Sequence, residues 1–244
     1  MTERATGDRI AKYIARAGVA SRRDAERLIA EGRVRVNNVT ATHPATFVAA
    51  GDVVLVDGAP VATPARTRLF RYHKPAGLMT THRDPQGRPT VFDALPPGLP
   101  RLISVGRLDF TSEGLLLLTN DGALARRLEL PATGWVRRYR VRLFGRPDPA
   151  QLVALKKGVT VEGVRYAPID AALDSVKGDN AWLTVALREG RNREVRRVMA
   201  YLGFAVSRLI RTAYGPFQLG HLPPGAVEEV SAKVLREQLP PAPS

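Results

Sequence analysis

Residues 106–122 read GRLDFTSEGLLLLTNDG. Four successive leucines, Leu115 to Leu118, follow a polar, Gly-flanked segment. Such a short apolar run bounded by turn residues predicts a strand buried on both faces. Thr119-Asn120-Asp121-Gly122 then turns the chain, and Ala123–Leu128 reads as a short helix capped by Asn120 or Asp121. Working outward, further short strands are predicted at 69–72, 139–144 and 182–187, with few helices between them. That order argues against a βαβ repeat and for an α+β domain with a mixed, largely antiparallel sheet. Asp109 lies on the loop just before the buried strand. Local pattern alone leaves two readings open: a carboxylate that caps a turn, or one held on a braced loop for chemistry.

Composition narrows the partners. The chain has 244 residues, 37 Lys plus Arg against 23 acids, and a formal charge of +14. A surplus of that size suits a polyanion, whose phosphates it neutralises with release of counterions. The chain contains no Cys, which excludes disulfides, zinc-finger sites and thiol catalysis. His43, His73, His82 and His221 form no pair at ligand spacing, so no metal site is expected. No Walker or Rossmann fingerprint appears, so no nucleotide cofactor is expected either. No long apolar stretch predicts a transmembrane helix. The N-terminal MTERATGDRIAKYIARAG lacks the apolar core of a secretory signal. A cytoplasmic protein away from membranes is the expectation.

The first 66 residues have their own pattern. Ile10, Tyr13, Ile14 and Ala17 recur at helical spacing, with Gly18 as a stop. Ser21 opens a second helix with Asp24 three residues on, a short capping box. Its stripe is Ala25, Leu28 and Ile29, and Gly32 ends it. Residues 33–39 and 53–58 alternate like strands running into turns. Two small helices followed by strands, with SRRDAERLIAEGRVRVN at their centre, resemble an S4 RNA-binding domain. Arg22, Arg23, Arg27, Arg33 and Arg35 cluster around the second helix and its exit; a solvated helix face is the alternative. Val61-Ala62-Thr63-Pro64-Ala65 reads as a linker. The expected division is 1–60 as an S4-like α/β domain, 61–67 as linker, 68–238 as the larger domain, and 239–244 as a disordered tail.

Four ordered motifs carry a second resemblance. His73-Lys74-Pro75-Ala76-Gly77, Asp84–Asp93 (DPQGRPTVFD), Arg138-Tyr139-Arg140-Val141 and Glu189–Arg197 (EGRNREVRR) join GRLDFTSEG. Together they are similar to the RsuA/RluB/RluE/RluF group of ribosomal RNA pseudouridine synthases, in the RluB-like form. Ser112 replaces the commoner Thr of the group, and His73 the commoner Asn. The resemblance implies a pseudouridine synthase domain with its active site in a cleft across the sheet. It implies isomerisation of a uridine to pseudouridine in 23S ribosomal RNA. The alternatives are 16S RNA, as in RsuA, or a non-catalytic RNA-binding or ribosome-assembly protein. It also implies no cofactor, and a monomer acting on naked RNA or an assembly intermediate.

The resemblance assigns Asp109 as the catalytic carboxylate, Tyr139 as the aromatic face for the flipped uracil, and Arg196 as the partner of Asp109. A helix over 193–202, with Val195, Val198, Met199 and Leu202 buried, places Arg196 at the stripe's edge. Arg107 resembles the residue that fills the space the base vacates. Lys74, Arg88, Arg193 and Arg197, with Arg22, Arg23 and Arg33 of the first domain, are expected at phosphates. A glycosidase would call for two carboxylates flanking the bond, and only Asp109 has a motif.

Overall fold

The computed structural model describes residues 7–130 and 133–239; of the expected disordered tail at 239–244, Leu239 instead packs against a core of the second unit, and 240–244 lie outside the described residues. The chain divides into two compact units, one reaching Thr67 and including Asn120–Gly122, the other built from Arg68–Thr119 and the chain from Ala123. No helix of the described residues is long and apolar enough to cross a membrane.

In the first unit, helices α1 (Ile10–Arg16) and α2 (Arg22–Ala30) accompany short strands β1 (Asp8–Arg9), β2 (Val34–Val36), β3 (Val39–Thr40), β4 (Phe47–Val48), β5 (Val54–Val56) and β6 (Ala59–Pro60). Ser21 caps α2, its Oγ accepting from the Asp24 amide at 3.1 Å. Asn37 and Asn38 turn β2 into β3, both at positive φ, a conformation asparagine tolerates better than most residues. Ile10, Ile14, Ala25, Ile29, Val34 and Val54 form the core. Val61, expected in the linker, is instead buried in this core and its amide bonds the Val54 carbonyl at 2.8 Å.

The second unit is built on β7 (Leu69–Lys74), β8 (Ile103–Val105), β9 (Glu113–Thr119), β10 (Arg137–Phe144), β11 (Val159–Val161), β12 (Val164–Tyr166), β13 (Ile169–Lys177), β14 (Asn180–Leu187), β15 (Ala205–Tyr214), β16 (Phe217–Gln218) and β17 (Val227–Glu229). Its helices are α3 (Gly122–Glu129), α4 (Pro149–Ala154), α5 (Glu194–Tyr201) and α6 (Ala232–Gln238). Among the described residues one nine-stranded sheet runs β13-β14-β10-β15-β9-β7-β17, with β8 on β9 and β16 on β15. Every pairing in it is antiparallel except β9 with β15. The expected α+β class and mixed, largely antiparallel sheet are those observed.

Leu115 to Leu118 lie in β9 at no more than 1 % exposure. Leu115 and Leu117 join a core roofed by α3 and α6, while Leu116 and Leu118 join Phe70, Tyr72 and Leu108 on the opposite face. Each such leucine contributes about 2 kcal/mol by leaving water, so the loop before β9 hangs from a rigid support. Gly114 is where β9 meets β15. A Cβ there would stand 2.3 Å from the Arg211 carbonyl oxygen, at φ +101°, so only glycine permits this close approach.

Candidate active site

A cleft of about 690 Å³ opens in the second unit, lined by Asp109, Tyr139, Arg107, Arg88, Arg193 and Arg211 among others. Asp109 sits on the β8–β9 loop, and that loop is tethered at almost every residue except the carboxylate. Glu129 accepts from the Gly106 amide at 2.7 Å. The Thr80 hydroxyl donates to the Leu108 carbonyl at 2.8 Å. The Gly77 amide donates to Phe110 O at 2.8 Å. The Asp109 carbonyl closes a turn with the Ser112 amide at 3.0 Å. The carboxylate itself remains partly solvated, 28 % exposed, and faces the cleft.

Lys74 completes this bracing and corrects the sequence expectation. Alternation along β7 turns it inward, and it is 0 % exposed. Its ammonium donates to the carbonyls of Ser112 at 2.9 Å, Pro75 at 3.0 Å and Phe110 at 3.3 Å. Burial pulls its pKa down to about 8, against the opposing pull of the charges on Asp109 and Glu113. An enclosed ammonium cannot meet a phosphate; it holds the loop of Asp109 from beneath.

The arginine motif is arranged differently from expectation. Arg193, expected at a phosphate, takes the left-handed conformation (φ 52°, ψ 30°) at the N-cap of α5. Its Nη1 thereby comes to 3.5 Å from Asp109 Oδ2. Arg196 is not ion-paired with Asp109. Its Nη1 donates to the Val206 carbonyl at 2.9 Å and its Nη2 to the Thr111 carbonyl at 3.4 Å. Burial lowers its pKa, as does Arg193, while the charge on Asp109 raises it. Arg196 is a strut to the Asp109 loop, and Arg193 is the cation at the carboxylate.

Tyr139 is half-buried on β10, packed between the two apolar clusters of its sheet face, with its edge on the cleft. Arg107 is exposed at the cleft and has no side-chain hydrogen bond or ion pair among the described residues. Arg88 lines the cleft but is bound through two nitrogens to Asp84, at 2.8 and 3.0 Å. Those bonds hold the Asp84 carboxyl at about 2. Arg197 is exposed on α5 without a partner among the described residues. In the first unit Arg23 is exposed and unpaired, whereas Arg22 lies 3.6 Å from Glu26. Arg33 is spent on Asp57, at 2.6 and 2.7 Å, and on Glu31 at 2.9 Å. Its charge is neutralised within the fold, which removes the basis for the phosphate contact expected of it.

The structure adds groups the sequence did not single out. Tyr214 lies between two guanidinium groups, Arg137 at 4.9 Å and Arg211 at 5.2 Å from its ring centre. Its hydroxyl donates to the Leu128 carbonyl at 3.0 Å. Arg211 is buried and its Nε donates to the Leu115 carbonyl at 2.7 Å. Glu194, inside the arginine motif, is 4 % exposed; its Oε2 accepts from the Arg191 amide at 3.0 Å. Burial pushes its pKa up to about 7, eased by the Arg191 amide and reinforced by the charge of Glu189. The signal for Glu194 was its position beside Val195 at the edge of the helix stripe; for Arg211 it was alternation with the buried Leu209 and Ala213.

This arrangement offers one carboxylate on a fixed loop, a cation 3.5 Å away, an aromatic edge, and arginines along a cleft deep enough for a base. Among the described residues no group of three or more His, Asp or Glu could hold a metal ion. Residues 68–201 match the family model described as RNA pseudouridylate synthase, and residues 8–54 match the S4 domain. An RNA pseudouridine synthase of Rickettsia felis is 47 % identical over 232 residues, covering 94 % of this chain and 99 % of that one. A ribosomal large subunit pseudouridine synthase B, from Pasteurella multocida, is 46 % identical over 231 residues, covering 92 % of this chain and 67 % of its own. A crystal structure of a pseudouridylate synthase aligns with a TM-score of 0.66 at 25 % identity, over 95 % of this chain and 99 % of that one.

Proposed function

The chain belongs to the RNA pseudouridylate synthase family, and from that premise we propose that it converts a uridine of 23S ribosomal RNA to pseudouridine, with Asp109 acting at the ribose. The observation that carries this reading is the Asp109 loop: its backbone is tethered and its carboxylate faces an arginine-lined cleft beside Arg193. The relatives named for the large ribosomal subunit support the choice of RNA.

The chemistry breaks N1–C1′, turns the uracil, forms C5–C1′, loses the C5 proton and returns one to N1. It is redox-neutral and adds no external group. Asp109 serves either by attack on C1′ or as base toward C2′. Arg193, 3.5 Å away, aims it. The uracil leaves its stack at a cost of a few kcal/mol and recovers part of it on the Tyr139 ring. Arg107, unpaired at the rim, fills the gap in the RNA. The S4 unit adds a second hold on the RNA through Arg23 and its neighbours, raising the effective concentration of the target. The protein works in the cytoplasm as a monomer, on free RNA or on an assembly intermediate.

The test is incubation of the protein with 23S and 16S transcripts, followed by pseudouridine mapping, for wild type and Asp109→Asn. Wild type should modify a single site in 23S. The nearly isosteric variant should bind RNA as before and lose at least roughly 10³-fold in turnover. Product in 16S alone would move the substrate to the small subunit and leave the chemistry standing. Turnover by a verified Asp109→Asn protein would remove Asp109 from its role.

A further inference from the structure

Among the described residues, one face of the second unit's sheet is exposed along β10 and at Thr184 of β14. On the β9–β7 side, α3 and α6 roof it through Leu124, Leu128 and Leu235. On the β10–β14 side, Tyr139, Val141 and Leu143 turn toward the cleft and the core, so Arg138, Arg140 and Arg142 turn the other way, and all three are exposed. None of the three has an ion pair among the described residues. An antiparallel sheet often leaves one face in water, and such a face ordinarily sets opposite charges across neighbouring strands. Here the cross-strand neighbours of Arg140 are Thr184 and Ile210, and those of Arg138 are Ala186 and Ala213. Arg142 faces Trp182 on one side and another arginine, Arg208, on the other. Of the acids on the flanking strands, Glu113 is held by Arg208 through two bonds of 2.8 Å and Asp170 lies 3.7 Å from Lys156, while Asp174 accepts from the Thr184 hydroxyl at 3.0 Å and keeps its charge. Three like charges on one strand thus stand without an ion pair among the described residues, with Asp174 as the one carboxylate near them not paired to a cation.

The arrangement is also ordered. Alternate residues of an antiparallel strand stand roughly 7 Å apart, a spacing comparable to that of successive phosphates along one nucleic-acid strand. Arg140 lies over the Trp182 ring at 4.6 Å, which fixes its plane and leaves its outward edge to donate.

We propose that Arg138, Arg140 and Arg142, steadied by Trp182, form a second RNA-binding surface on the open back of the sheet, which grips the backbone of a ribosomal RNA segment other than the one that delivers the uridine to the cleft. This rests on the reading of the protein as an enzyme of ribosomal RNA. It goes beyond that reading in requiring that the substrate contact both faces of one sheet.

The test compares wild type, the triple variant Arg138→Ser/Arg140→Ser/Arg142→Ser, and the triple lysine variant, each checked for fold by circular dichroism and melting. Affinity for a full-length 23S transcript is measured across a salt series. Each lost phosphate contact lowers the log–log salt slope by about 0.7–0.9. The serine triple should therefore lose about 2–3 from the slope and bind at least roughly tenfold more weakly at low salt. The lysine triple should keep the slope. Single-turnover rate at saturating RNA should match wild type in both. An unchanged salt slope in the folded serine triple overturns the proposal, as does a loss of saturating turnover without a change in slope. Because the slope is a binding measurement, it stands or falls separately from turnover, and failure of the enzymatic reading is seen instead as absence of pseudouridine with wild type.

Discussion

Replacing Lys74 with Met isolates what a buried ammonium does for the loop that carries Asp109. Two effects oppose each other. The fall in pKa from 10.5 to about 8 corresponds to about 3 kcal/mol of burial cost, which the thioether does not incur. Against this, the carbonyls of Ser112 and Pro75 lose their donor, at about 1–3 kcal/mol each. The Phe110 carbonyl keeps the Gly77 amide at 2.8 Å. The net runs from about 1 kcal/mol of stabilisation to about 3 kcal/mol of destabilisation by the same bookkeeping. Turnover is another matter, because the orphaned carbonyl belongs to Ser112, whose amide closes the turn that presents Asp109. A displacement of about 1 Å there costs about 10²-fold in rate. Urea unfolding and single-turnover pseudouridine formation, measured on the same preparation at pH 7, separate the two. The expected result is a nearly normal unfolding midpoint with turnover down about a hundredfold. Wild-type turnover in the folded variant would refute the bracing role. A loss of more than about 5 kcal/mol would refute the balance worked here between burial and hydrogen bonding.

Arg193→Ala should lower kcat about ten- to a hundredfold with RNA affinity nearly unchanged. Arg196→Ala should act through the loop, so Arg196→Lys should not rescue it while Arg193→Lys should restore part of the rate; identical rescue in single-turnover assays would contradict the distinction. Tyr139→Phe should be milder than Tyr139→Ala, which forfeits about 1–3 kcal/mol of stacking; a binding and turnover series with both variants checks it. Glu194 gives a pH dependence with a definite sign. Its folded pKa of about 7 lies above the ordinary 4.5, so the native state holds the extra proton and stability falls as pH rises from about 4.5 through 7. Glu194→Gln should remove that slope and stabilise the protein by about 2–3 kcal/mol at pH 8, which urea titrations at pH 5 and 8 would reveal.

The sequence made legible whatever depends on neighbours along the chain. The four leucines of β9, the Ser21 cap with Asp24, and the buried stripe of Val195, Val198 and Met199 all stand where periodicity and capping chemistry put them. Lys74 is not legible because two of its three acceptors lie at 110 and 112, and nothing local to HKPAG tells that they converge on it. Arg33 was misread for the same reason: Asp57 reaches it only when β2 and β5 pair. The exchange of roles between Arg193 and Arg196 came from one backbone conformation. A left-handed residue at the helix start redirects its side chain by a large angle, and a non-glycine there leaves no trace in a hydrophobic pattern.

The seam at Gly114 has a mechanical consequence. β9 and β15 pair through only Ile210 with Glu113 and Arg211 with Gly114, whereas β7 and β9 pair over six residues. The softest line of the sheet therefore runs between the strand that follows Asp109 and the strands that lead to Arg193. What reinforces it is side chains: Arg211 to the Leu115 carbonyl from inside, and Arg208 to Glu113 from outside. The inner bond is buried and indifferent to salt; the outer one is exposed and screened by it. Of the two fastenings, Arg211 is therefore the one whose hold on the seam does not depend on ionic strength.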